Sequence, residues 1–597
     1  MSQRSSMAWL GCIALVGFSL SACVGTVEIG GGGNGGGGNG GGGPLPKADK
    51  IDLLLVVDNS RSMADKQEIL ALVTADLVQS VTNPPCVDAN GNVGQTPASP
   101  LDPCPAGQTR RHAPVTDMHV GVISTSIGGH GADSCPNDDP FACQPNTNVT
   151  NNDKAHLLNR TDACGVQTSL PTWQNQGFLA WDLQGAMSPV GISDPLELAK
   201  GISALVTGVG QVGCGYESQL ESWYRFLVDP APYESITVVN SDATPSGTDT
   251  LLLTQRASFL RPDSMLVILQ LTDENDCSIN ESGQNFMAAQ IRNPGGMPFR
   301  LPRPRQECAI NPNDPCCKSC GQDQGNCPVD PTCTGPDGQL AMLTEQEDQI
   351  NLRCWDQKRR FGIDFLYPVD RYINAVTQGQ IADRNGNLVP NPIFSDLNPS
   401  DGNSGVRDPG LVFVASISGV PWQLIARDPA DLTQGFQNSS EMMDYDVWNN
   451  ILGDWPNTPP MNPHMIESIA PRSGLLPGDP YNGGDRTISS NDDLQYACIF
   501  PLATPRDCSV PDFVACDCAD PNNNNPLCAP DPNTGVRTMQ VAAKAYPSPR
   551  TMQVIKGLGN QGVLTSICPA EIDDSSRTDY AYRPVVRALV ERMITRL

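Results

Sequence analysis

Between Asp52 and Met63 the chain reads Asp-Leu-Leu-Leu-Val-Val-Asp-Asn-Ser-Arg-Ser-Met. The apolar run Leu53–Val57 has the length and β-branched content of a strand buried on both faces, as in a parallel sheet covered by helices. It stops abruptly at Asp58, and Ser60 and Ser62 follow at alternate positions. In a tight loop leaving a strand end, alternate side chains converge on one point. A carboxylate with two hydroxyls is a set of hard oxygen donors, suited to Mg²⁺, Ca²⁺ or Mn²⁺ and not to a thiophilic metal. The plainer alternative is a strand-to-helix turn in which Ser62 caps the next helix.

Further apolar runs supply the rest of a sheet: Met118–Ser124, Ser264–Thr272, Gly410–Ser416 and Gly562–Ile567, with Ser235–Val239 as a short edge strand. An amphipathic helix is expected over Ala64–Gln79, with Ile69, Val73 and Leu77 on one stripe. Others are expected over Ser218–Leu227, Val369–Val376 and Pro584–Leu597, the last opened by a proline in its first turn. Strands alternating with helices predict an α/β fold with a doubly wound, mostly parallel sheet. Ligands of such sheets sit beyond the carboxyl ends of the strands. Asp58 and Asp273, the latter in Leu271-Thr272-Asp273, both fall there.

The amino terminus reads as an address. Arg4 precedes the apolar stretch Ala8–Leu20, too short for a stable span, and Leu20-Ser21-Ala22-Cys23 closes it. This closure resembles a bacterial lipobox, which implies a signal peptide over 1–22 and acylation of Cys23. The mature chain would then be held to a membrane by lipid. Val24 follows the cysteine with no Asp retention signal, which favours the outer membrane of the cell envelope. Residues 23–46 form a tether, since Gly30–Gly43 is glycine apart from Asn34 and Asn39. Such a coil spans roughly 20 Å.

Of the 22 cysteines, Cys12 lies in the expected signal peptide and Cys23 is the expected acylation site. The remaining twenty read as a disulfide framework of about ten bridges in an oxidising compartment: Cys86, Cys104, Cys135, Cys143, Cys164, Cys214, Cys277, Cys308, Cys316, Cys317, Cys320, Cys327, Cys333, Cys354, Cys498, Cys508, Cys516, Cys518, Cys528 and Cys568. Cys317-x-x-Cys320 has a zinc-like spacing, but its crowded neighbours and the absence of a nearby His favour disulfides. The folded body is expected over 47–597, one core with insertions at about 82–116, 128–176, 293–353 and 435–533. The last is Asn-, Asp- and Pro-rich and expected to be irregular. The basic cluster Lys358-Arg359-Arg360 is either a salt-bridged return to the core or a ligand patch. A net charge of −27, from 65 acidic and 38 basic residues, excludes a nucleic-acid partner, which requires a basic footprint.

The pattern Asp58-x-Ser60-x-Ser62 after a buried strand, with Thr272-Asp273 after a central one, resembles the metal-ion-dependent adhesion site (MIDAS) of von Willebrand factor A (vWA) domains. The insertions resemble those of lipoproteins from social, predatory soil bacteria. The vWA resemblance implies Asp58, Ser60, Ser62 and Asp273 as metal-site residues. It also implies a coordination position left open for an acidic group of an extracellular or envelope protein or glycan. The family's further Thr is missing, because Cys214 stands about where it belongs. Either Cys214 is disulfide-bonded and its loop re-routed, or Glu217 supplies an oxygen instead. Asp276 adds a nearby carboxylate that would tip the preference toward Ca²⁺. No catalytic loop or elbow appears among the known sequence signatures. Of the five His residues, His119 is expected on a covered face of the sheet. The expectation is a non-enzymatic, cation-dependent adhesion protein. The alternatives are a surface scaffold with a vestigial metal loop and a metal-dependent hydrolase.

Overall fold

The apolar runs form the middle of a six-stranded sheet in the computed structural model, which describes residues 47–135, 152–164, 169–400, 405–454, 457–510 and 516–597. The leader, Cys23, the glycine-rich segment and Cys143 lie outside these residues. The strands are β1 (Lys50–Val57), β2 (Asp117–Ser124), β3 (Phe178–Asp182), β4 (Met265–Leu271), β5 (Val412–Ser418) and β6 (Gly562–Ser566). They lie in the order β6-β5-β4-β1-β2-β3. All neighbours are parallel except β2 and β3. β1 is central, with Val57 level with both Ser124 and Leu271. Every residue of β1 after Lys50 is buried, which is why its sequence is continuously apolar.

Eight helices position the site: α1 (Ala64–Leu72), α2 (Thr74–Thr82), α3 (Pro195–Gly208), α4 (Gln219–Leu227), α5 (Thr250–Phe259), α6 (Asp370–Ala375), α7 (Pro549–Leu558) and α8 (Arg583–Met593). They pack in two sets: α1, α2 and α3 touch one another and α8 packs on α2, and α4 touches α5 and α6 while α6 touches α7. Ile51, Leu53 and Met118 of the sheet meet Leu77, Val78 and Val81 of α2, Ile202 of α3 and Leu589 and Met593 of α8. Residues Leu45–Leu597 cluster as one compact unit.

Several expectations are corrected. The helix expected over Ala64–Gln79 is two helices broken at Val73. Thr74 Oγ1 donates to the Ala71 carbonyl at 2.9 Å, a local bond that competes with the helical ladder. Ser235–Val239 is not an edge of the main sheet but pairs with Asp242–Ser246 in a separate hairpin. The true antiparallel edge is β3. The segment 435–533 is not wholly irregular, because Cys498–Asp507 pairs with Met539–Ala545, which also pairs with Cys528–Ala529. Lys358, Arg359 and Arg360 lie in a short helix, Gln357–Phe361. Lys358 Nζ and Arg360 donate to main-chain carbonyls, so the cluster ties its own segment together and to the Cys317 carbonyl of the insertion.

Nine disulfides join described cysteines: Cys86–Cys104, Cys135–Cys214, Cys277–Cys354, Cys308–Cys317, Cys316–Cys327, Cys320–Cys333, Cys498–Cys568, Cys508–Cys516 and Cys518–Cys528. Cys164 is also disulfide-bonded. Cys317 and Cys320 thus belong to separate bridges. Six of these link residues within the insertions, where apolar residues are too sparse to hold a shape alone.

Candidate functional site

β1 and β4 end side by side, and the Asp58 amide donates to the Leu271 carbonyl at 3.0 Å. Asp58 Oδ1 accepts the Ser60 amide at 2.8 Å, an Asx-type turn that draws the loop tight. Asp58 Oδ2 accepts Thr272 Oγ1 at 2.7 Å, across 214 residues of chain. Ser60 Oγ and Ser62 Oγ lie 3.3 Å apart. Thr272, which the sequence marks only as the neighbour of Asp273, is therefore the hinge between the two loops. Gln219 Nε2 at the start of α4 donates to Thr272 Oγ1 at 3.0 Å.

The strand order turns back on itself between β1 and β4, and this is where open α/β sheets place their ligands. Glu217 is buried beside the cluster. Burial, then the Glu274 and Asp58 carboxylates, push its pKa well above the usual range. Burial and the Asp273 charge raise Asp58 to about 6. Burial, then Asp273 and Asp58, raise Glu274 to about 8. Asp58, Asp273, Glu217 and Glu274 thus repel one another electrostatically, and burial adds to that repulsion in opposing ionisation of Glu217 and Glu274. Glu274 was not singled out in the sequence. Its only signal was adjacency to Asp273.

Cys214 is bridged to Cys135, and its amide donates to Ser126 Oγ at 2.8 Å. Its loop presses on the site: a side chain at Gly213 would meet Asn59 Oδ1 at 2.7 Å. Gln67 Nε2 braces the loop to the site by donating to both the Asp58 and Gly210 carbonyls at 2.9 Å. Asp276 does not join the cluster. Its Oδ1 accepts the Leu220 amide at 2.9 Å and Ser278 Oγ at 2.6 Å, and its Oδ2 accepts Arg550 Nε at 3.0 Å. It caps α4, so its carboxylate is committed and the expected push toward Ca²⁺ has no basis.

The largest departure from the sequence reading is Lys66. It is fully buried, and Nζ donates to Asp273 Oδ2 at 2.9 Å and to the Ser62 carbonyl at 2.7 Å. On a helix four residues past Ser62 it reads as one more solvated charge. The roof that encloses it comes from the 498–548 segment. The Phe500 ring centre lies 5.8 Å from Nζ, Arg506 pairs with Asp65, and the Tyr546 amide donates to the Asp273 carbonyl at 2.8 Å.

The donors suit a hard cation. Asp273 Oδ1 is buried with no hydrogen-bond donor, which is unusual for a carboxylate oxygen, and two hydroxyls stand together nearby. Among the described residues no three His, Cys, Asp or Glu side chains form a metal-holding group, so the serines are needed to complete any such set.

His119 is buried on β2. Its ring lies 4.5 Å from that of Phe178, and Nδ1 is 2.8 Å from the Phe259 carbonyl. Burial, with Arg261 beside it, pushes its pKa down to about 3, so it stays neutral. A cavity of about 860 Å³ lies at the amino end of β2, lined by Asp117, His119, Trp173 and Arg261 among others. Arg261 is committed there to Asp52, Asp117 and the Ile51 carbonyl.

No protein-family model, curated protein or solved structure matches the chain. The resemblance to vWA domains rests on the residues themselves. No described helix is long and apolar enough to cross a membrane.

Proposed function

We propose that the chain is a vWA-type, doubly wound α/β protein of the cell envelope, tethered through an acylated Cys23. In this reading it binds an acidic group of a protein or glycan through a divalent cation. One observation carries it: the Asp58–Ser62 loop and Thr272-Asp273 come together beyond the carboxyl ends of β1 and β4, where the strand order reverses, joined by the Asp58–Thr272 bond and by Lys66. When bound, a divalent cation supplies a Lewis-acidic position that recruits an anionic oxygen. Ser60, Ser62 and Asp273 Oδ1 would hold it. Asp58 fixes the loop through the Ser60 amide and Thr272. The dense disulfide framework supports an oxidising, extracytoplasmic setting.

A second reading is a scaffold in which the loop carries no ion, and the Lys66–Asp273 pair favours it. Calorimetric titration of the full chain with MgCl₂, CaCl₂ and MnCl₂, beside Asp58→Ala, separates the two. Millimolar or tighter binding that is lost in Asp58→Ala, together with cation-dependent retention of an acidic glycan or peptide, supports adhesion. Silence with all three salts supports the scaffold. Turnover of a polymer without retention would point to the hydrolase.

A further inference from the structure

Lys66 is hydrogen-bonded to both halves of the candidate site. Its ammonium touches the Ser62 carbonyl of the first loop and Asp273 Oδ2 of the second. An ammonium taken out of water is expensive unless it is paired, and here the pairing partner is the carboxylate whose other oxygen, Oδ1, is buried with no donor. The same carboxylate therefore faces a resident charge on one side and has an unused acceptor on the other. Phe500 covers the ammonium, so water cannot readily screen it.

We propose that Lys66 is the built-in counter-ion of this site. It holds the Asp58–Ser62 loop against Asp273 when no divalent cation is bound, and it opposes such a cation by like-charge repulsion. The chain is thereby set to load only where divalent ions are plentiful. This rests on the cation-dependent reading above. A second positive charge in a neighbouring position of a protein interior shifts a binding constant by at least about tenfold.

The test uses the full chain and the three chloride salts alone. Affinity and thermal midpoint are measured for wild type, Lys66→Met, Lys66→Gln, Lys66→Arg and Asp58→Ala. The glutamine keeps a donor toward Asp273 without the charge. The expected result is that Lys66→Met and Lys66→Gln bind at least tenfold more tightly than wild type. They should melt lower in EDTA and recover when cation is added, while Lys66→Arg stays as weak as wild type. Equal affinity in wild type and the neutral variants, with Asp58→Ala silent, overturns the role of Lys66 and leaves the cation reading standing. No binding by wild type or by folded variants overturns both. Neutral variants that stay unfolded at saturating cation also overturn the proposal, because the ion is meant to replace the lysine.

Discussion

Asp58→Asn separates holding the loop from carrying a charge. In wild type the buried carboxylate accepts the Ser60 amide at 2.8 Å and Thr272 Oγ1 at 2.7 Å. Asparagine keeps one acceptor and turns a donor toward one of these two donors, which costs about 1–3 kcal/mol. Against this stands the charge itself. Burial and Asp273 raise the Asp58 pKa from 3.8 to about 6, so ionising it above pH 6 costs about 3 kcal/mol at 1.36 kcal/mol per pH unit. The native pKa lies above the unfolded one. The contribution of Asp58 to stability is therefore fully present below pH 3.8 and is lost as pH rises through 6. In EDTA at pH 8 the two terms nearly cancel, and Asp58→Asn should melt at or above wild type. At pH 4.5 the charge term is mostly absent and the variant should melt below it. Thermal denaturation at both pH values, followed by circular dichroism, reads this directly. A variant that melts far below wild type at pH 8 in EDTA would refute the reasoning, because the carboxylate would then be stabilised as an anion.

Arg353 and Asp348 are both fully buried and doubly hydrogen-bonded, Nε to Oδ1 at 2.8 Å and Nη2 to Oδ2 at 2.9 Å. Arg353→Met should destabilise the surrounding insertion by about 3–5 kcal/mol by stranding Asp348, and hydrogen exchange should rise in 288–301; protection unchanged there would count against it. Glu221, held by Arg371 and Tyr372, is raised by burial from 4.5 to about 7. Its stability contribution is present below pH 4.5 and lost through 7, so Glu221→Gln should gain up to about 3 kcal/mol on wild type between pH 4.5 and 8. A constant difference across that range would show that Arg371 outweighs burial. Thiol titration of the denatured, unreduced chain should find none of the nineteen described bridged cysteines free; several free thiols with bound zinc would contradict the bridges.

The central strands were legible because a strand buried on both faces writes itself as an unbroken apolar run: β1, β2, β4, β5 and β6 were each located to within a few residues. β3 was missed because Phe-Leu-Ala-Trp-Asp is short, follows a disulfide-bearing insertion and has no period to read. Ser235–Val239 was read correctly as extended but put in the wrong sheet, since β-branched content reports conformation and not partner. At the site, Asp58 and Asp273 were legible from their places at strand ends. The role of Thr272 was not, because it depends on register between distant segments. Lys66 was hidden because its burial comes from Phe500, which lies more than 400 residues further along the chain.

The position of β1 has a consequence for how the chain is made. Among the described residues, the strand of this sheet that comes earliest in the chain lies at its centre, flanked by strands that begin at Asp117 and Met265. Its most apolar surface must wait for partners that arrive much later, a topology of high contact order that folds slowly and risks aggregation. The disulfides divide along the same line. Six bridges close loops of 8 to 18 residues and need only their own segment. Cys135–Cys214, Cys277–Cys354 and Cys498–Cys568 close loops of 79, 77 and 70 residues. The first two of these flank the site, so oxidation of the short loops can run ahead of assembly, while correct pairing of the long ones records that the strands have already met.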